Sequence, residues 1–183
     1  MIEPTPILNI RSISKTYPGQ VALSEAHLQI LPGEIHALIG PNGAGKTTFV
    51  SLLSGRIAPD QGQITLAGED ITRLPAHLRV RKGIAYTFQI TSIYPRLSVF
   101  DNVALAAQAR GAGNLKAEVH AALLRVGMAE LSNQEAATLS YGHQRLLEVA
   151  MGLALNPRVL ILDEPTQGLA SGEIAGFVAL VRS

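Results

Sequence analysis

Gly40-Pro41-Asn42-Gly43-Ala44-Gly45-Lys46-Thr47-Thr48 is a glycine-rich run that ends in a lysine and two threonines. Before it, Glu34 to Ile39 reads as a short apolar strand. After it, Phe49, Val50, Leu52 and Leu53 supply an apolar helix face that ends at Gly55. Strand, glycine loop and helix in that order, with four residues between Gly40 and Gly45, are the pattern of a phosphate-binding loop. The residue types follow from the chemistry. Glycines let the backbone wrap closely around phosphate oxygens, and the first N–H groups of the helix present about half a positive charge to an anion. Lys46 is placed to reach β and γ phosphates, and the Thr47 hydroxyl to ligate Mg²⁺.

A second stretch, Val159 to Pro165 (VLILDEP), puts Asp163 and Glu164 just beyond an apolar strand. Doubly wound sheets place their ligand sites at such strand ends. Consecutive residues of an extended chain point in opposite directions, so the two carboxylates are expected to do different work. Asp163 is assigned to Mg²⁺, directly or through water, and Glu164 to polarising the attacking water.

Outward from these two stretches the chain alternates strands and helices. Leu8, Ile10 and Ile13, then Val21 to Leu23, then Leu28 and Ile30 predict an antiparallel β start, closed by the turn at Pro32 and Gly33. Ile64 to Leu66 and Ile84 to Phe88 predict two further strands, with a short helix between Pro75 and Arg81. From Ser98 the chain becomes alanine-rich, and Ser98 with Asp101 predicts a helix start. Gly111 to Asn114 reads as a loop, Leu115 to Val126 as a helix, and Ser132 to Thr138 as a polar loop. Leu146, Val149, Ala150 and Leu153 have the spacing of a buried helical stripe. Ser171 predicts a final helix with Ile174, Phe177, Val178 and Val181 on one face, a pattern still open at Ser183. The fold class is α/β: a P-loop core with an N-terminal antiparallel β subdomain and an α-helical insertion, residues 1–89 and 140–183 forming the core and 90–139 the helical subdomain.

The composition narrows the function. The 183 residues include 47% hydrophobic and 16% charged, suited to a single core, and no cysteine. Disulfides, thiolate metal ligands and cysteine nucleophiles are thereby excluded. The longest aliphatic run, Val159 to Leu162, is strand-sized, whereas a membrane span needs roughly 20 apolar residues. The first residues lack the pattern of a secretory signal, so a cytoplasmic chain is expected. A formal charge of +1 and the single short basic cluster of Arg79, Arg81 and Lys82 give no nucleic-acid stripe. That cluster is read as the solvated end of a helix. His27, His36, His77 and His120 are unpaired at ligand spacing and are read as solvated or packed.

Leu139-Ser140-Tyr141-Gly142-His143, lying between the phosphate loop and the DEP strand end and just before a helix, resembles the signature motif of ABC transporter ATPases. With it, the chain resembles that family over essentially its whole length. The resemblance implies an ATPase that binds ATP with Mg²⁺ as one half of a nucleotide-sandwich dimer, Ser140 and the Gly142 backbone meeting the γ phosphate held by the opposite subunit. It implies that Gln89, after the strand Ile84 to Phe88, contacts Mg²⁺ and water and senses the membrane partner, and that Tyr17 stacks on adenine. The implied partners are a second ABC ATPase subunit, transmembrane permease subunits and, indirectly, a solute-binding protein, with no nucleic acid. The implied place is the cytoplasmic face of the membrane.

Some positions depart from the family pattern. His143 replaces a glutamine, Leu146 and Met151 stand where arginine is common, and Ala170 stands where Asp or Asn is common. The family's switch histidine is expected on a strand beyond Ser183, so turnover by residues 1–183 alone is expected to be impaired. Gly83 to Ile90 (GIAYTFQI) and Leu139 to Ala154 (LSYGHQRLLEVAMGLA) most resemble the ATPases of branched-chain amino-acid and related amide uptake systems. The alternatives are a soluble ABC ATPase outside transport, or a nucleotide-binding module with little turnover.

Overall fold

The computed structural model describes residues 5–87, 92–111, 113–166, 169 and 171–182. Strands β1 (Leu8–Tyr17) and β2 (Gln20–Ile30) pair antiparallel, from Leu8 opposite Ile30 to Tyr17 opposite Gln20. Val21 to Leu23 and Leu28 to Ile30, expected as separate pieces, thus belong to one strand. A bulge explains an irregularity in the sequence pattern. Leu8 and Ile10 are spaced by two, Ile13 by three, yet all three are buried. Ser12 takes φ +49° and the register shifts between Ile10 and Ile13, which turns Ile13 back to the face of Leu8 and Ile10.

Helix α1 (Lys46–Ser54) follows the glycine loop and buries Phe49, Leu52 and Leu53 as expected. Strand β3 (Gln61–Leu66) pairs with β1, and the short β4 (Glu69–Asp70) pairs with β3, so the sheet order is β2-β1-β3-β4. Helix α2 (Ala76–Lys82) completes this first unit, residues 1–84. The core consists of Leu8, Ile10, Ile13, Leu52, Ile64 and Ile71, each at most 1% exposed.

Two expectations for this unit are corrected. Residues 34–39 form no strand, and Ile35, Leu38 and Ile39 are exposed. An extended segment is a strand only when a neighbour takes up its backbone groups, and this one has no ladder partner among the described residues. The basic cluster divides: Arg81 and Lys82 are exposed, but Arg79 is 1% exposed. Its guanidinium donates to the carbonyls of Leu52 (2.6 Å) and Leu53 (2.9 Å) in the last turn of α1, and to those of Thr72 and Leu74 (both 2.8 Å). Burial pushes its pKa down to about 10, which leaves it charged at neutral pH.

The side chain thus closes the far end of the helix that begins at the phosphate loop. Gly55 makes room for it, since a Cβ there would lie 2.8 Å from Nε of Arg79 and 2.9 Å from the Leu74 carbonyl oxygen. Arg79→Met would take the guanidinium from four carbonyls, of which Leu52 O keeps the Gly55 N–H at 3.3 Å and three lose this donor, at a cost of about 1 to 3 kcal/mol for each one kept from water. A fall in stability of at least about 3 kcal/mol is expected, read from urea unfolding midpoints.

The second unit, residues 85–183, holds strand β5 (Ile84–Tyr86, continuing from the first unit), helices α3 (Val99–Arg110), α4 (Leu115–Arg125) and α5 (Tyr141–Ala154), strand β6 (Val159–Ile161) and helix α6 (Ser171–Arg182). Ser98 caps α3 by accepting from Asp101 N at 3.0 Å, and Asn114 caps α4 by accepting from Ala117 N at 3.2 Å. Val99, Val103, Ala107, Val119, Leu123 and Leu147 form the packing centre of α3, α4 and α5.

On α5 the predicted stripe is half right. Val149 and Ala150 are buried, while Leu146 and Leu153 are half-buried. Arg145 and Glu148 are buried in addition, joined at 2.8 Å. The helix is enclosed on more than one side, so no single apolar stripe describes it. On α6 only Phe177 of the expected face is buried, and Ile174 and Val178 are exposed. Strand β6 is half-buried along its length rather than fully buried.

Candidate functional site

The phosphate loop is built by local geometry. Gly45, at the N-cap of α1, has φ +85°, and a Cβ added there would lie 2.5 Å from the Ala22 carbonyl oxygen. Only glycine fits both the left-handed backbone and the approach to β2. No side chain caps α1, so its leading N–H groups carry no side-chain acceptor. Gly43, at φ +81°, has nothing within 4 Å of where a Cβ would stand, so the loop is open on that side. Lys46 folds back over the loop, its Nζ donating to the carbonyls of Gly40 at 2.6 Å and Pro41 at 2.8 Å. Pro41, Asn42 and Thr47 are exposed, and Ala44 turns back on Pro41 through its N–H at 3.3 Å. Thr48 is half-buried. An uncapped helix start, an open glycine cradle and a cation whose partners among the described residues are neutral carbonyls suit a phosphate chain.

Tyr17 ends β1 and is 42% exposed. Lys15 Nζ lies 5.9 Å from the ring centroid and is fixed by Asp60 at 2.7 Å. Both lie in the first unit. An exposed ring backed by a held cation retains surface for a flat aromatic ligand.

The carboxylates lie in the second unit. Strands β5 and β6 are neighbours, with Thr87 N donating to Ile161 O at 3.0 Å. Helix α5 packs closely on β6, since a Cβ on Gly152 would lie 3.2 Å from Leu160 Cδ1. Beyond β6 the half-buried Asp163 accepts a hydrogen bond from the Tyr86 hydroxyl on Oδ2 at 2.9 Å, and among the described residues it joins no ion pair. Glu164 is exposed and has φ +45°. A non-glycine residue held there costs about 1 to 2 kcal/mol. The hydroxyl of Thr47 and the carboxylate of Asp163 are hard oxygen donors of the kind Mg²⁺ takes.

Ser140 caps α5 and is exposed, its Oγ accepting from His143 N at 3.3 Å and lying 2.9 Å from His143 Nδ1. Gly142 is buried in the first turn. His143 therefore uses its ring on the serine, which no spacing argument indicates. Gln89 and Ala170 lie outside the described residues. Sequence reasoning missed Tyr86, which sits 77 positions from its partner and carries no motif of its own.

Residues 23–167 match the family model described as ABC transporter. The chain belongs to the ABC transporter family. It is 38% identical, over 98% of its length, to a ribose import ATP-binding protein of Streptomyces coelicolor, and 35% identical, over its full length, to one of Mesorhizobium japonicum. It spans about a third of those relatives, 36% in each case.

Among solved ABC transporter structures, the fold is similar to the ADP conformation of an ATP-binding cassette (TM-score 0.88, 25% identity, 97% of this chain and 76% of that one). It is also similar to a subunit of an ABC transporter complex from Clostridium perfringens (TM-score 0.86, 28% identity, 97% and 72%). The expected P-loop α/β fold of ABC ATPase type is thus the observed one. The expected likeness to branched-chain amino-acid and amide ATPases is corrected by these relatives, which carry the name ribose import. That expectation rests on two short stretches, Gly83 to Ile90 and Leu139 to Ala154, whereas the relatives align over nearly the whole chain.

No helix of the described residues is long and apolar enough to cross a membrane.

Proposed function

We propose that this chain is the ATP-binding and ATP-hydrolysing part of an ABC importer for a sugar of the ribose class. The observation that carries the ATPase reading is the uncapped, glycine-cradled start of α1, with Lys46 poised over it. The sugar reading is supported by relatives named for ribose import at 35 to 38% identity.

In this reading the first N–H groups of α1 and Lys46 hold the β and γ phosphates of ATP, and Tyr17 stacks on the adenine. Thr47, Asp163 and Gln89 hold Mg²⁺, which supplies charge neutralisation at the transferring phosphate. Glu164 accepts a proton from the attacking water. Ser140 and the Gly142 backbone receive the γ phosphate of ATP bound to a second ABC ATPase cassette. Closure around ATP and reopening after hydrolysis drive transmembrane permease subunits from the cytoplasmic face of the membrane, with a solute-binding protein delivering the sugar outside.

Deleting the gene and measuring uptake of radiolabelled ribose and leucine tests the assignment. Ribose uptake is expected to fall to background with leucine uptake unchanged. Lost leucine uptake with ribose uptake intact would overturn the sugar reading.

A further inference from the structure

Asp163 is not held by regular structure. The ladder of β6 ends at Ile161, and the backbone turns into the left-handed region at Glu164, so Asp163 lies in the short stretch between a strand end and a strained residue. A carboxylate in that position has free rotation about its side chain unless another group fixes it. Tyr86, the last residue of the neighbouring β5, supplies such a group. Its hydroxyl donates to Oδ2 of Asp163 at 2.9 Å in a partly buried setting. The bond between Thr87 N and Ile161 O, one residue beyond Tyr86 and two before Asp163, keeps the two strand ends in register.

We infer that Tyr86 is a positioning residue that aims the Asp163 carboxylate at Mg²⁺. The inference rests on the assignment of Asp163 as a metal-holding residue made under the proposed function. The chemistry is specific to a phenol. Its O–H occupies one lone-pair site on Oδ2 and leaves Oδ1 with full acceptor capacity for a cation. A rigid ring on a strand residue directs that bond with little rotamer freedom. Phenylalanine fills the same space and lacks the donor. Partners that orient a ligating carboxylate typically account for about 10- to 100-fold in metal affinity.

The test uses the full-length protein and its Tyr86→Phe and Asp163→Asn variants, with Mn²⁺ standing in for Mg²⁺. Mn²⁺ binding is followed by electron paramagnetic resonance in the presence of a non-hydrolysable ATP analogue. Analogue affinity in EDTA and the urea unfolding midpoint are measured alongside. Tyr86→Phe is expected to weaken Mn²⁺ binding about 10-fold or more, with analogue affinity in EDTA unchanged and a cooperative urea transition that shows the variant is folded.

Wild-type Mn²⁺ affinity in Tyr86→Phe, with affinity lost in Asp163→Asn, would overturn the role of Tyr86 and leave that of Asp163 standing. Wild-type affinity in both variants would overturn the metal role of Asp163, and the inference with it. Weaker analogue binding in EDTA in Tyr86→Phe would show a general structural role and would also overturn the inference.

Discussion

Replacing Glu164 by Gln is expected to lower ATP turnover by about 10²- to 10⁴-fold, the usual contribution of a positioned general base, while ATP binding is retained. The substitution keeps the size and hydrogen-bonding reach of the side chain and removes its ability to take a proton. Glu164 is exposed and held at φ +45°, beside Asp163 at the end of β6. Glycine would adopt that backbone without strain, so an acidic residue there is retained against a conformational cost of about 1 to 2 kcal/mol. Such strain at a strand end fits a residue whose direction matters more than its contribution to stability. Single-turnover phosphate release in wild type and Glu164→Gln, at saturating ATP, measures the effect. Equal rates would remove Glu164 from the chemistry.

Lys46→Ala is expected to weaken ATP binding by about 10²-fold, and the nucleotide-free geometry sets the scale. In wild type the ammonium donates to two neutral carbonyls, Gly40 O and Pro41 O. Binding ATP exchanges those bonds for bonds to phosphate oxygens, in which the acceptor as well as the donor is charged. A hydrogen bond to a charged group contributes about 1.5 to 3 kcal/mol net, so losing the ammonium from the phosphates, at the upper part of that range, corresponds to roughly 10²-fold in affinity. The fold is expected to survive, because among the described residues Lys46 Nζ bonds to the loop it covers, and the α1 core residues Leu52 and Leu53 are untouched. Competition of unlabelled ATP against a fluorescent analogue in both proteins checks this, with circular dichroism to confirm that Lys46→Ala is folded.

How far these residues were legible in the sequence depends on the range of the interaction that places them. Gly45, Lys46 and Thr47 are fixed by a loop a few residues long, where glycine conformation and helix capping are local properties, and the pattern was readable. The same holds for Ser98 and Asn114, whose caps close within three residues. Arg79 was not legible, because a charge near two other charges on a short helix reads as solvated. Its burial comes from carbonyls 26 and 27 positions away on α1. Tyr86 was hidden for the same reason.

Periodicity failed on α5 because packing on several sides, with the buried pair of Arg145 and Glu148, leaves no single apolar stripe to read. The stretch 34–39 looks like a strand by composition, but strand formation is a property of a pair, and apolar content alone does not supply the partner. The solute is not legible in the phosphate loop or the signature, because their residues are directed at ATP and need make no contact with what is transported.

Whether the loop from Gly40 to Thr48 is a nucleotide site is decided by calorimetric titration of the wild-type protein with ATP in the presence of Mg²⁺. Saturable binding is predicted, one ATP for each Gly40 to Thr48 loop, with a dissociation constant within the range of about 1 μM to 1 mM usual for enzyme substrates. Absence of saturable binding at ATP concentrations well above that range, from protein shown to be folded, would contradict a nucleotide site there.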